Sequence, residues 1–489
     1  MLTPINPKKW DYEKAAHLLN RAGFGGSPEQ IESLRKAGLD SAVNQLLDGP
    51  KPSAPIEKPD WAQPHNVGEM RMEIRNLPED QRQMRFKEIA KTEQEHGIDL
   101  VSWWLGRMSQ GPSAALEKMT LFWHGHFATS LQKVKDPYLM WQQNETLRRN
   151  AFGNFGSMVR DISRDPAMMI WLDTNQSLKQ HPNENFAREL MELFTLGIGN
   201  YTEEDIQQAA RAFTGYRINQ SDQTFRFSEL LHDSDSKKFF GQTGNFNGDD
   251  IIGLILAKPA CAKFITKKIW KFFAFDEPEP ALVEALGASF KAHNYEIKPL
   301  MNQIFRSAEF YAPQVIRSQI KSPVQWMVQT ARILESEVPR GPVAVNALRQ
   351  MGQVPFIPPN VKGWDGGKSW ITTSTLLLRY NLANFEVGNG PFNIQRLGKL
   401  AGNKEIAKPG FEVINRTAPD LSKIAPEALR KDPKALVESL TVRLFQSPLT
   451  PRETGAFVRY LEGRSGDTSD GTIRELLHLM MSTPDFQLT

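Results

Sequence analysis

Residues 181–216 read HPNENFARELMELFTLGIGNYTEEDIQQAARAFTGY. Phe186, Leu190, Leu193 and Phe194 recur at helical intervals and share one face, whereas a half-buried strand would alternate at every second residue. Pro182-Asn183 is a start signal, with Asn183 as cap and Glu184 in the first turn, where a carboxylate meets the positive end of the helix dipole. Gly197 and Gly199 stop the helix. Thr202, with Asp205 three residues on, forms a capping-box pattern for a second helix. Ile206, Ala209, Ala210 and Phe213 give that helix its apolar face. Two helices joined by a tight turn are predicted.

The polar side of the first helix is unusually acidic. Asn183 to Glu192 holds three glutamates, one arginine and two asparagines. One reading is a solvated face, with Glu184 and Arg188 as an i,i+4 pair contributing about 0.2–0.5 kcal/mol. The other is a helix lining a cleft, where Arg188 holds Glu184 or Glu192 ionised while another carboxyl keeps its proton. That division of charge is what general acid/base chemistry requires. Glu184, Glu189 and Glu192 are the catalytic candidates, and Asn185 and Arg188 the substrate-binding ones.

The whole chain, 489 residues, has the length of two to three domains or one large one. Its 40% hydrophobic and 24% charged content is that of a soluble globular protein. A net charge of +3 without a dense basic tract argues against a nucleic-acid partner. The single cysteine, Cys261, precludes an intrachain disulfide and sits in an apolar helical pattern as a small core residue. No membrane span is expected. The most apolar stretch, Ile251 to Phe275, is interrupted by Lys258, Lys263, Lys267 and Lys268. The N-terminus, MLTPINPKKWDYEKAAHLL, lacks the apolar core of a signal peptide. The expected location is periplasmic or secreted if a signal has been removed, and cytoplasmic otherwise.

Other segments carry chemistry of their own. Residues 113–130, SAALEKMTLFWHGHFATS, begin as a helix and reach His124 and His126. Two histidines at i,i+2 do not share a helix face, but on a strand or an extended helix end they could. They read as acid/base or substrate-contacting groups, as a pair of metal ligands, or as satisfied structural imidazoles. Residues 224–241 are the best strand candidate, with Phe225 and Phe227 pairing back on Phe239-Phe240. His232, Asp233 and Lys237 would cluster at the hairpin tip, to contact substrate or simply to shape the turn. Residues 352–370, GQVPFIPPNVKGWDGGKSW, predict a long ordered loop. Trp364 and Trp370 there either stack on a sugar or plug the core.

The resulting fold class is mainly α: a large multi-helix globular fold with one small β-hairpin and long ordered loops. A helical region with a Pro/Lys-rich loop at 49–65 spans residues 1–110. A core helical domain with the site spans 111–384, and an irregular segment with closing helices spans 385–489.

The chain resembles the large bacterial family called domain of unknown function 1800. The resemblance rests on AAHLLNRAGFGGSP, FWHGHFATS, PNENFARELMELFTLGIGNYTEEDIQQAARAFTGY, HDSDSKKFFG, GDDIIGLILAKPACAKFITKKIWKFF, KSPVQWMV, MGQVPFIPPNVKGWDGGKSWI and STPDFQL. It implies export in many members and frequent company with an exported, sulfatase-like family. This chain departs from that pattern in showing no export signal. The resemblance supports the fold and the choice of site residues rather than a reaction.

Three functions are weighed. The first is a hydrolase or lyase acting on a glycan or related polymer through the carboxylates, with His124, His126 or His232 as acid/base or positioning groups. The second is a metal-dependent enzyme using His124 and His126 with Glu189 and Asp233. Against it, Glu189 is followed at i+3 by Glu192 rather than by the histidine of di-iron bundles. The third is a non-catalytic helical binding or assembly protein.

Overall fold

The computed structural model describes residues 2–49, 57–111, 113–389, 418–464 and 467–489. Residues 50–56 of the expected Pro/Lys-rich loop and 390–417 of the expected irregular segment lie outside the described residues. Within them the chain forms 24 α-helices and two small antiparallel hairpins. None of these helices is long and apolar enough to cross a membrane.

The sequence reading expected one hairpin; there are two. Strand β1 (Tyr216–Ile218) pairs with β2 (Phe225–Phe227), Tyr216 opposite Phe227. Strand β3 (Lys237–Phe239) pairs with β4 (Gln242–Gly244). Phe239-Phe240 therefore does not pair back on Phe225 and Phe227. Phe240 and Gly241 both take positive φ, 49° and 79°. Two such residues form the tight primed turn that joins neighbouring strands most directly, so β3 closes locally on β4.

The acidic helix also departs from expectation. It is α-helical only over Asn185–Glu189, with Asn183 Oδ1 accepting the Asn185 N–H at 2.9 Å. From Leu190 to Thr195 it continues as a π-helix. The Leu196 N–H reaches back five residues to Met191 O at 2.9 Å. Thr195 Oγ1 donates to Leu190 O over the same interval. The wider winding still buries Leu190, Met191, Phe194 and Thr195.

Two hydrophobic cores organise the molecule, and the helix Ala114–His126 lies between them. Met119, Phe122 and Trp123 pack in one core, with the N-terminal helices and the helices from Phe155 to Phe305. Leu121 packs in the other, with Trp104, Trp326 and the C-terminal helices. Being covered on both sides, this helix buries even Glu117, Lys118 and both histidines.

Burying Glu117 demands compensation, and the surrounding helices supply it. Arg148 donates to both carboxylate oxygens at 2.9 Å. Arg107 donates to Oε1 at 2.8 and 3.1 Å, and Trp104 Nε1 to Oε2 at 2.8 Å. The two guanidiniums hold its pKa below the usual carboxylate range although burial pushes it up. Arg107 and Arg148 also lie over the Trp103 ring, at 5.1 and 5.3 Å. Truncating Glu117 to Ala would leave Arg107 without a carboxylate and Arg148 with Glu145 alone. Such losses cost about 3–5 kcal/mol, so Glu117→Ala is expected to lower the unfolding free energy by that amount in denaturant titration. A loss under 1 kcal/mol would show that the cluster does not anchor the helices.

Candidate functional site

Glu189 and Glu192 stand on either side of the junction between the α-helical and π-helical turns. Both are half-buried. Glu192 Oε2 accepts the Tyr201 hydroxyl at 2.8 Å. Burial and this bond push the Tyr201 phenol up to about 12. Burial also raises Glu189, the neighbouring Glu192 adds to the rise, and Arg188 opposes it. No hydrogen bond or ion pair to a described residue engages the Glu189 carboxylate.

Arg188 serves the acidic face differently from expectation. Its main partner is Glu203 on the following helix, met by Nη1 and Nη2 at 2.8 Å each. Glu184 is its second partner, at 3.2 Å. The expected i,i+4 pair exists, and a second carboxylate, Glu203, joins it across the turn. Asn185 is exposed. Sequence reasoning missed Tyr201 and Glu203. The signal was available: the Gly197–Gly199 turn folds the second helix start back beside the first helix.

The imidazoles lie elsewhere. Both are on the helix Ala114–His126, where positions two apart point about 200° away from each other. His124 Nε2 accepts the Phe356 N–H at 2.9 Å. Its ring meets Trp104, Phe356 and Trp364 at centroid distances of 5.0, 4.9 and 6.0 Å. His126 Nε2 donates to Phe194 O at 3.0 Å, and Lys268 Nζ caps Leu193 O at 3.2 Å. These are carbonyls at the C-terminal end of the π-helix, where the helix itself offers no donor. Burial, with the Lys268 charge, holds His126 well below the usual imidazole range. His126 thus touches the acidic helix through its backbone rather than through Glu189 or Glu192.

The expected metal pair at His124/His126 is not brought together. Each Nε2 is committed to the backbone, one as acceptor and one as donor. Among the described residues no three His, Cys, Asp or Glu side chains converge as ligands.

His232, Asp233 and Lys237 do cluster, in the loop between the two hairpins rather than at a hairpin tip. Arg211 binds both Asp233 oxygens, at 2.7 and 3.2 Å. Lys237 Nζ donates to Asp233 O at 2.6 Å and Asp235 O at 3.0 Å. His232 Nδ1 lies 2.9 Å from Thr214 O. The Arg211–Asp233 pair holds the loop against the helix Glu203–Ala212, His232 ties it to Thr214 just beyond that helix, and Lys237 bonds two carbonyls of the loop itself.

The loop of residues 352–370 is ordered, as expected, and docks on the end of the histidine helix. A Cβ at Gly363 (φ 86°) would stand 2.5 Å from Gly125 O, so only glycine permits the approach. Trp370 is buried as a core plug and Trp364 is half-exposed beside His124.

Cavities of about 490 and 510 Å³ lie apart from these groups. One is bounded by Ser27, Ser109 and Arg332, the other by Ile371, Leu376 and Tyr380. Neither is lined by Glu189, Glu192 or an imidazole.

The family model described as "Protein of unknown function (DUF1800)" matches residues 17–488. The chain belongs to this family. Neither the curated proteins nor the solved structures offer a match to it. The stretches on which the resemblance rests supply, in this DUF1800 chain, the histidine helix, the π-helix and the loop of residues 352–370. They meet at two backbone contacts, His124 to Phe356 and His126 to Phe194.

Burial pushes His124 down to about 3, against 6.5 for an unperturbed imidazole. Above pH 6.5 both folded and unfolded states hold it neutral, and its contribution to stability is intact. As pH falls from 6.5 towards 3, the unfolded chain takes up a proton that the folded chain refuses, so stability is lost. Replacing His124 by Gln keeps an acceptor for Phe356 and removes the titration. The loss of unfolding free energy between pH 7 and pH 4.5 is expected to shrink by roughly 2–3 kcal/mol in His124→Gln. Equal losses in both proteins would refute the neutral, buried assignment.

Proposed function

We propose that this DUF1800 protein is an acid/base enzyme, a hydrolase or lyase acting on a glycan or related polymer, with Glu189 and Glu192 as its working carboxyls. The observation that carries the reading is the pair itself, half-buried at an α/π junction. π-Helical turns are frequent at functional sites, and this one sets a carboxyl with no partner among the described residues beside one bound by Tyr201. Glycoside cleavage needs one carboxyl that carries a proton and one that is ionised. Burial and the charge of Glu192 favour the protonated form of Glu189, which suits it to protonate a leaving oxygen. Glu192 then acts as base or nucleophile, with Tyr201 steadying it.

An accessible helix face suits a long chain lying across it better than a small enclosed substrate. Arg188, Glu184 and Glu203 flank the pair and offer polar contacts to hydroxyls. A sulfated polymer fits the expected company of a sulfatase-like protein, since it carries both glycosidic bonds and sulfate esters.

The test is a panel of neutral and sulfated polysaccharides incubated with wild type and Glu189→Gln. Product release should fall by about 10²–10⁴-fold in the variant. The same substitution should leave Tm at pH 7 unchanged or higher. The raised carboxyl contributes its stability while protonated and loses it as pH rises, so the neutral amide removes a cost. Product from both proteins or from neither counts against the proposal. A variant that loses stability instead assigns Glu189 to a structural network, as the binding or assembly reading requires.

A further inference from the structure

A buried cationic cluster lies between the helices Tyr12–Ala22 and Ala114–His126. Arg21 is 1% exposed and Lys118 3%. Neither has a carboxylate contact among the described residues: burial, and then the Arg21 charge, hold Lys118 well below the usual ammonium range, and burial lowers Arg21 to about 9, opposed by the exposed Asp276 from beyond ion-pair distance. Arg21 Nη2 donates to Val315 O at 2.8 Å and Ser318 Oγ at 3.0 Å. Its Nε and Nη1 groups are buried and have no acceptor. Lys118 Nζ has one acceptor, Gln325 Oε1 at 2.5 Å, and lies over the Phe24 and Phe272 rings at 5.0 and 5.5 Å.

The nearby amides cannot neutralise this charge. Gln325 Nε2 donates to Asn20 O at 3.3 Å, and Asn20 Oδ1 is taken by Gln329 Nε2 at 2.9 Å. Asn20 Nδ2 is given to Gln446 Oε1 at 2.8 Å. His17, one turn before Arg21, is also buried, with its Nε2 on Phe310 O at 3.1 Å. Among the described residues no carboxylate accepts a hydrogen bond from Arg21 or Lys118. Buried cations are ordinarily paired, because an isolated charge in a low-dielectric interior costs several kcal/mol.

We propose that Arg21 and Lys118 form an internal binding site for a small oxyanion, a carboxylate or a tetrahedral sulfate or phosphate. The guanidinium donors left without an acceptor among the described residues match the oxygens of such a group, and the anion's charge draws a proton onto Lys118, which then adds the second positive charge. The Phe24 and Phe272 rings over Lys118 add cation–π attraction once it is protonated. The site is distinct from the Glu189–Glu192 pair and does not depend on what that pair does.

Thermal unfolding of the full chain with increasing sodium sulfate, phosphate or acetate, each against sodium chloride at equal ionic strength, tests this. A saturating rise in Tm is expected in wild type with at least one anion, because a ligand held only by the folded state stabilises it. The responding anion tells a tetrahedral group from a carboxylate. Arg21→Met and Lys118→Met should lose the saturating part and keep only the linear salt effect. A response identical in wild type and both variants, or no saturating response to any anion, overturns the proposal. Should the variants fail to fold, selenate soaked into crystals of wild type decides the matter. Anomalous density against the Arg21 guanidinium supports the site, and its absence there overturns it.

Discussion

Glu117 sits where two hydrophobic cores meet, and a carboxylate in that position must be neutralised or expelled. Arg107, Arg148 and Trp104 neutralise it from the helices Glu79–Gln110 and Pro137–Asn150. This fixes three helices against one another by charge rather than by shape alone. The constraint extends outward. Trp104, whose indole N–H is spent on Glu117, lays its ring against His124. His124 in turn accepts the Phe356 N–H, and Phe356 O accepts the Leu131 N–H at 2.8 Å. A loop rich in glycine and proline, with only a short 3-10 turn and a single bridge of its own, is thereby tied into the core.

The same helix meets the acidic segment from its other side. His126 and Lys268 satisfy the carbonyls that the π-helix leaves open at Phe194 and Leu193. A π-turn widens the helix and costs hydrogen-bond geometry, so it persists where the surroundings hold it. The imidazole and the ammonium do that holding from within. The carboxylates of Glu189 and Glu192 are left on the accessible side, where Tyr201 and the Arg188 network surround them. Buried bases support the backbone, and half-buried acids face outward to the work proposed for them.

Charge is distributed in a related way across the molecule. The acidic face is offset by Arg188, and Asp233 by Arg211. Arg21 and Lys118, deeper inside, have no such offset among the described residues. They lie in helices whose apolar residues pack around them, and their burial follows from the elements on either side.

Much of the architecture could be read directly. Helical spacing and caps marked the start of the helix Ala114–His126 and the capped helix after Thr202, because amphipathic periodicity and caps are local properties. The Glu184–Arg188 pair and the buried Cys261 followed for the same reason. The π-turn at Leu190–Thr195 did not, since a change of winding by one residue leaves the apolar positions almost in step. Nor did the second hairpin, whose turn depends on a left-handed Phe240 that composition does not announce. What tertiary structure alone decided was which polar groups face which: His124 towards a distant amide, His126 towards a carbonyl, Glu189 towards no described partner. The sequence by itself determined the helices and the residue types available to a site. Only packing determined their company, because desolvation and hydrogen-bond partners are set by neighbours far apart along the chain.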